Sequence, residues 1–264
     1  MSYADVNGLA LYYAEHGCGE PLVLLHGGFG TGEMFGPVLP ALAAQRRVIA
    51  VDLQAHGRTA DAGRPLRFET MADDVAALIG HLGLVRSDVM GMSMGGGVAL
   101  RTAIQHPEAV DRVVLVSVPF RRDGWFPEIG AAMRRFTPEH GEAMKRSPMY
   151  ATYARVAPRP RAWPVLHAKM GELLSSDYDW SAEVAALTAP TMLVYADSDS
   201  IRPAHMVEFF ALLGGGLRDA DWDGSGRPRG RLAIMPGTTH YDIFASPALA
   251  ALVLDFLAAP TPGL

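Results

Sequence analysis

Six short apolar runs recur along the chain, most of them separated by segments long enough to form a helix. They are "PLVLLH" (21–26), "RVIAVDL" (47–53), "DVMGMS" (88–93), "RVVLVSV" (112–118), "TMLVYAD" (191–197) and "RLAIMPG" (231–237). Rich in Val, Ile, Leu and Met and without polar alternation, these runs fit strands buried on both faces. Between them "EMFGPVLPALAAQ", "TMADDVAALIGHLG", "GGGVALRTAIQHP" and, near the end, "SPALAALVLDFLAA" are expected to be helices. Strands and helices in alternation imply right-handed crossovers and a mostly parallel sheet covered on both sides. The opening "VNGLALYYAEHGCGE" adds a strand pair turned at Asn7-Gly8, a hairpin signal, which brings the expected sheet to eight strands.

One gap breaks the rhythm. Residues 120–188 contain no strand-like run, only helical segments punctuated by prolines, and divide the core into 1–119 and 189–264. This insertion carries Trp125, Trp163 and Trp180, and most of its aromatic residues are expected to pack it onto the core. The stretch "GGGLRDADWDGSGRPRG" (214–230) is expected to be a surface loop before the last strand.

With 23 basic against 28 acidic residues among 264, the formal charge of −5 gives no electrostatic reason to seek nucleic acid or an anionic membrane. Cys18 is the single cysteine, so an internal disulfide and a thiolate metal cluster are excluded, and a reducing, cytoplasmic setting is expected. No basic segment followed by an apolar one opens the chain, and no uncharged run approaches the roughly 18–20 residues of a membrane span.

Four glycines follow the first of the six runs in "HGGFGTG" (26–32). A phosphate loop needs lysine and a hydroxyl after its last glycine, where this chain has Glu33 and Met34 of the wrong charge and kind. A dinucleotide fingerprint starting at Gly28 and Gly30 lacks its third glycine, since Glu33 stands there. A nucleotide-binding oxidoreductase is therefore the weakest reading. The segment Gly91-Met92-Ser93-Met94-Gly95 lies between a strand and a helix. A serine at such a sharp turn projects its hydroxyl above the sheet, and small residues two positions to either side let the turn close. Acyl transfer from an ester passes through an oxyanion that needs two fixed N–H donors. The Met94 amide, directly after Ser93, is one candidate, and the glycine turn offers the other.

Together these residues resemble the α/β-hydrolase superfamily, in particular its cap-bearing, carboxylesterase-like serine hydrolases. The likeness rests on "LLHGG" (24–28), "DLQAHGRT" (52–59), "GMSMGG" (91–96), "YADSDSIRP" (195–203) and "PGTTH" (236–240), in the family's order of nucleophile, acid and histidine. It implies that Gly28, or Phe29 if the loop is shifted by one, supplies the second oxyanion N–H, and that residues 120–188 form a cap. The turn at 52–59 departs from the pattern in having Ala55 in place of its first glycine.

His240 follows the last expected strand through "PGTT", which puts it at the edge where Ser93 must also lie, as general base and then general acid. His26 is expected to brace the glycine turn. The loop after "TMLVYA" offers Asp197 and Asp199; the resemblance selects Asp199, and Asp197 reads as a turn residue. "VSVPF" (116–120) has no carboxylate, so the acid is not at the end of the sixth strand.

The expected chemistry is hydrolysis of a small to medium, largely apolar carboxylic ester or lactone through an acyl-enzyme, without metal or cofactor. Met133, Met144, Met149 and Met170 suit an apolar substrate part. On the same triad, C–C bond hydrolysis or cofactor-free perhydrolysis is the alternative, and a ligand receptor with slow turnover the alternative of another class. The expected partner is the small-molecule substrate, with the chain a monomer or homodimer.

Overall fold

The computed structural model describes residues 2–260. Strands β1 (Ser2–Val6) and β2 (Leu9–His16) form the expected hairpin, and Asn7 and Gly8 both take positive φ, 49° and 75°, as a tight two-residue turn requires. The six apolar runs become β3 (Pro21–Leu25), β4 (Arg47–Asp52), β5 (Ser87–Met92), β6 (Val110–Val116), β7 (Thr191–Ser198) and β8 (Gly230–Thr239). They join the hairpin in one eight-stranded sheet of order β1-β2-β4-β3-β5-β6-β7-β8. β2 runs antiparallel to β1 and β4, and every pairing from β4 through β8 is parallel.

Alternate residues of the central strands feed two separate cores. Val23, Leu25, Val113, Leu115 and Leu193 face one, and Leu22, Leu24, Val114, Val116 and Val194 face the other. All ten are fully shielded from solvent, which explains the absence of polar alternation in the runs. Helices α1 (Val38–Ala43), α2 (Phe68–His81) and α3 (Met94–Gln105) separate the strands in the first half of the chain. α1 covers the second core, and α2 and α3 cover the first.

The segment "EMFGPVLPALAAQ" departs from the single helix expected of it. A 3-10 turn (Gly32–Phe35) ends at Gly36, which has φ +41°, and Pro37 leads into the short α1. Glycine permits that left-handed step, and proline disfavours helical backbone in the residue before it.

After β6 come α4 (Pro127–Met133), α5 (Pro138–Ala143), α6 (Pro148–Val156), α7 (Trp163–Ser175) and α8 (Ser181–Ala185), with no further strand of the sheet before β7. α9 (Pro203–Leu212) joins β7 to β8, and α10 (Pro247–Ala258) packs beside α1 on the second core. Residues 214–229 form the expected turn-rich loop, which ends one residue earlier than expected because Gly230 pairs with Thr191 as the first residue of β8, and Trp222 is fully exposed on it. Among the described residues, no helix is long and apolar enough to cross a membrane.

Trp163, fully buried at the start of α7, is the hub of the helical segment. Its indole N–H donates to the Gly141 carbonyl at 2.9 Å, and the rings of Tyr150, Tyr153, His167 and Phe29 lie 4.6–5.6 Å away. Phe29 belongs to the glycine turn after β3, so this cluster joins the helical segment to the sheet's carboxyl edge. Trp163→Ala should cost about 3–5 kcal/mol, the range for truncating a buried aromatic residue. Urea unfolding followed by circular dichroism checks this, and a loss below about 1 kcal/mol would show that the hub carries little of the fold.

Candidate active site

Ser93 caps α3 with φ 52° and ψ −116°, a conformation that only a tightly held non-glycine residue adopts. What holds it is close backbone contact. A Cβ on Gly91 would stand 2.1 Å from the Gly95 carbonyl oxygen, and one on Gly95 would stand 2.4 Å from that of His26. The Ser93 N–H donates to Val116 O at 2.9 Å, and its carbonyl accepts from Gly97 N–H at the same distance. These bonds fix the backbone on both sides of the side chain.

His240 directly follows β8. Its Nε2 lies 3.1 Å from Ser93 Oγ, and its Nδ1 lies 3.0 Å from Asp199 Oδ1. An ionised Asp199 can only accept, so Nδ1 carries the proton and the Nε2 lone pair faces the serine. Asp199 lies just past β7. Its Oδ2 accepts from Ser117 Oγ at 2.5 Å and Ala196 N–H at 3.0 Å, and its Oδ1 also accepts from Ile201 N–H at 3.3 Å. Burial by itself would raise the pKa of this carboxyl, but these donors and the His240 ring outweigh it and hold Asp199 below its ordinary value. Asp197 has no part in this chain: it is exposed and accepts the Gly237 amide at 2.9 Å, tying the end of β7 to β8. Trp125 packs edge-on against the His240 ring at 5.5 Å.

In the glycine turn, His26 donates from Nδ1 to Gly27 O at 2.7 Å and accepts the Leu53 amide at Nε2 at 3.0 Å. It thereby braces the turn against the end of β4. Burial pushes its pKa down to about 4, and that of His56, whose ring lies 5.1 Å away, down to about 3. Ala55, at the departed glycine position, keeps φ +64°, so the turn survives the substitution with local strain. Among the described residues, the amides of Gly28, Phe29 and Met94 donate to no acceptor, and all three residues line the cavity above Ser93.

That cavity measures about 740 Å³. Its wall includes Met34, Met92, Met94, Met133, Met149 and Met170, with Trp125 and Phe136. Met144 is absent from it and instead packs at the edge of the first core. Among the described residues of the lining, Arg155 is the one Lys or Arg and Glu33 the one carboxylate, and the two pair at 2.7 Å. Glu33 also binds Arg58. Among the described residues, no group of three or more His, Cys, Asp or Glu is placed to hold a metal ion.

Of the residues named from the sequence, Ser93, His240, Gly28, Phe29 and Met94 line one cavity, and Asp199 stands behind it, joined to it through the His240 ring. Ser117 and Trp125 also reach this site and lie outside any motif: Ser117 comes from the end of β6, and Trp125 from the segment after it, whose backbone pairs with Ile201.

A serine at a strained strand-to-helix turn, a histidine and a carboxylate thus stand in one hydrogen-bonded row at the carboxyl edge of this sheet, and comparison with known proteins points to the same fold. Residues 20–147 match the family model described as alpha/beta hydrolase fold. A putative carbamate hydrolase from Azorhizobium caulinodans is 28% identical over 84% of this chain and 90% of its own. A 2-hydroxymuconate semialdehyde hydrolase from Pseudomonas sp. CF600 is 29% identical over 95% of this chain and 91% of its own. The crystal structure of an enol-lactonase from Burkholderia xenovorans superposes with a TM-score of 0.72 at 23% identity, over 97% of this chain and all of that one. The chain has the α/β-hydrolase fold.

The two buried histidines make stability depend on pH. Below about pH 6.5 the unfolded chain takes up protons that His26 and His56 refuse in the folded state, so stability falls as the pH falls. Between pH 6.5 and 5 each should cost about 2 kcal/mol, with the loss levelling off once the pH passes the folded values. Urea titrations at the two pH values test this, and equal stability at both would refute it.

Proposed function

We propose that this hydrolase cleaves a neutral, largely apolar carboxylic ester or lactone through a covalent acyl-enzyme. The observation that carries the reading is the hydrogen-bonded chain from Asp199 through His240 to Ser93 Oγ, opening onto an apolar cavity. His240 Nε2 takes the Ser93 proton as Oγ attacks the carbonyl carbon, and Asp199 stabilises the imidazolium that forms. The oxyanion is met by the Met94 N–H and by the N–H of Gly28 or Phe29, amides that donate to no acceptor among the described residues. As the intermediate collapses, His240 returns the proton to the leaving alkoxide. Water, activated by the same ring, then releases the acid. Residues 120–188 act as the cap, placing Met133, Met149 and Met170 against the substrate.

The neutral character of the substrate follows from the charges in the wall. A carboxylate-bearing substrate, such as the name of the semialdehyde hydrolase relative implies, would meet no free cation, because Glu33 already occupies Arg155. That relative nevertheless keeps C–C bond hydrolysis as the second reading, since its match spans nearly the whole chain.

A fluorophosphonate probe should add one adduct to the wild-type protein by intact mass and none to Ser93→Ala. Repeated turnover of p-nitrophenyl butanoate should follow, whereas a single stoichiometric burst would mark a receptor. Cleavage of a dienoate C–C bond without ester turnover would overturn the ester reading.

The acid is tested separately. Asp199→Ala should lower kcat by about 10³–10⁴-fold, the usual consequence of losing the residue that orients the histidine. Asp197→Ala should stay within about twofold of wild type on the same ester, because Asp197 touches only the Gly237 amide. Equal losses in the two variants would remove Asp199 from its role.

A further inference from the structure

We infer that Ser117 is a positioning residue that registers the Asp199 carboxylate to the same strand end that holds the Ser93 elbow; the inference rests on the triad reading above. Ser117 is the first residue after β6. It is fully buried and has φ +50°, a left-handed conformation in which glycine would be unstrained. A turn alone does not require a side chain there. The hydroxyl of this one ends 2.5 Å from Asp199 Oδ2. Strain retained at a buried polar residue in contact with a reacting group is the pattern expected of a functional constraint.

The topology shows what the contact does. Asp199 stands beyond the end of β7, outside the strand ladder, and its carboxylate must keep Oδ1 turned toward His240. Two donors hold the opposite oxygen. The Ala196 amide comes from the last turns of the same strand and moves with Asp199. Ser117 comes from β6 and is therefore the external reference. Its own backbone is fixed, since its N–H donates to Val194 O at 2.8 Å.

The preceding residue completes the device. Val116 O accepts the Ser93 N–H at 2.9 Å, so two adjacent residues hold the nucleophile's backbone and the acid's side chain. A shift of β6 carries both ends of the triad together, and the distance His240 must span stays constant. Besides His240, the titratable group facing Asp199 is Tyr195. It is buried, its hydroxyl donates to Val118 O at 2.9 Å, and burial keeps it neutral.

The test compares Ser117→Ala with Ser117→Gly, which accepts the left-handed backbone without strain and so keeps the fold. With p-nitrophenyl butanoate, both should lose about tenfold in kcat, the scale of one hydrogen bond to a charged group, with KM within about twofold. Both should label more slowly with the fluorophosphonate probe and still melt cooperatively, within the roughly 2–4 °C that each kcal/mol of lost hydrogen bonding removes, with Ser117→Gly the less affected because it relieves the backbone strain. In an Asp199→Ala background, adding Ser117→Ala should cost nothing further, because the hydroxyl acts through the missing carboxylate. Wild-type kcat in both single variants, or the same loss with and without Asp199, overturns the inference while leaving the triad intact. A wild-type protein that neither labels at Ser93 nor turns over the ester removes the functional reading and this inference together.

Discussion

The site depends on how closely two backbones can approach at the carboxyl edge of the sheet. Between the glycine turn after β3 and the elbow after β5 there is no room for a side chain: a Cβ on Gly95 would overlap the carbonyl oxygens of both His26 and Leu25. A Cβ on Gly91 would overlap the first turn of α3. This contact sets Ser93 in its strained conformation and brings the Gly28, Phe29 and Met94 amides to the wall of one cavity. It also explains why polar groups serve as bracing around it. His26 joins the turn to β4 as a neutral ring, donating at one nitrogen and accepting at the other, where a charged ring would be penalised by burial.

Charge is handled differently on the two sides of Ser93. Behind it, the buried carboxylate of Asp199 is surrounded by the His240 ring, the Ser117 hydroxyl and two amides, which makes its ionised form tolerable in a low-dielectric setting. In front, Glu33 and Arg155 neutralise one another at the cavity wall, and the remaining lining is mostly sulfur and hydrocarbon. The unpaired hydrogen-bonding capacity near Ser93 therefore belongs to neutral backbone amides, and the charged groups on either side of it are each matched by a partner.

The parts of this arrangement that could be read from the sequence are those whose signal is local. Gly91-Met92-Ser93-Met94-Gly95 is legible because the small residues and the serine that need each other are neighbours in the chain, and the six apolar runs are legible because burial on both faces removes polar alternation. Ser117 was not legible. A serine after a strand carries no distinguishing pattern, and its partner lies 82 residues away. Trp125 reaches His240 in the same non-local manner, through pairing of its backbone with Ile201 in the loop that carries Asp199. The segment expected to be one helix is divided at Gly36-Pro37, where glycine takes the left-handed step and proline restarts the chain as α1. Of the four methionines expected to suit a substrate, Met144 fails because it sits in a 3-10 turn after α5 and packs inward, a matter of local pitch that composition does not encode.

The methionine lining bears on how such a site would discriminate. An unbranched thioether has three rotatable bonds and adapts to irregular apolar shapes, so a wall built from six of them sorts substrates by bulk more than by contour. Aromatic rings held by other rings share that wall. Trp125 is packed against His240, and Phe29 is wedged among Phe136, Trp163 and His167 with ring centres 4.4–5.5 Å from its own. Phe29 also has a left-handed backbone, and its amide is one of the two candidate oxyanion donors in the turn. The aromatic hub that packs residues 120–188 onto the sheet therefore bears directly on the glycine turn, because Trp163 and His167 of α7 touch the ring of Phe29, whose amide lines the cavity above Ser93. Displacing those helices would remove the ring contacts that hold Phe29, so the packing of residues 120–188 and the order of the glycine turn are coupled.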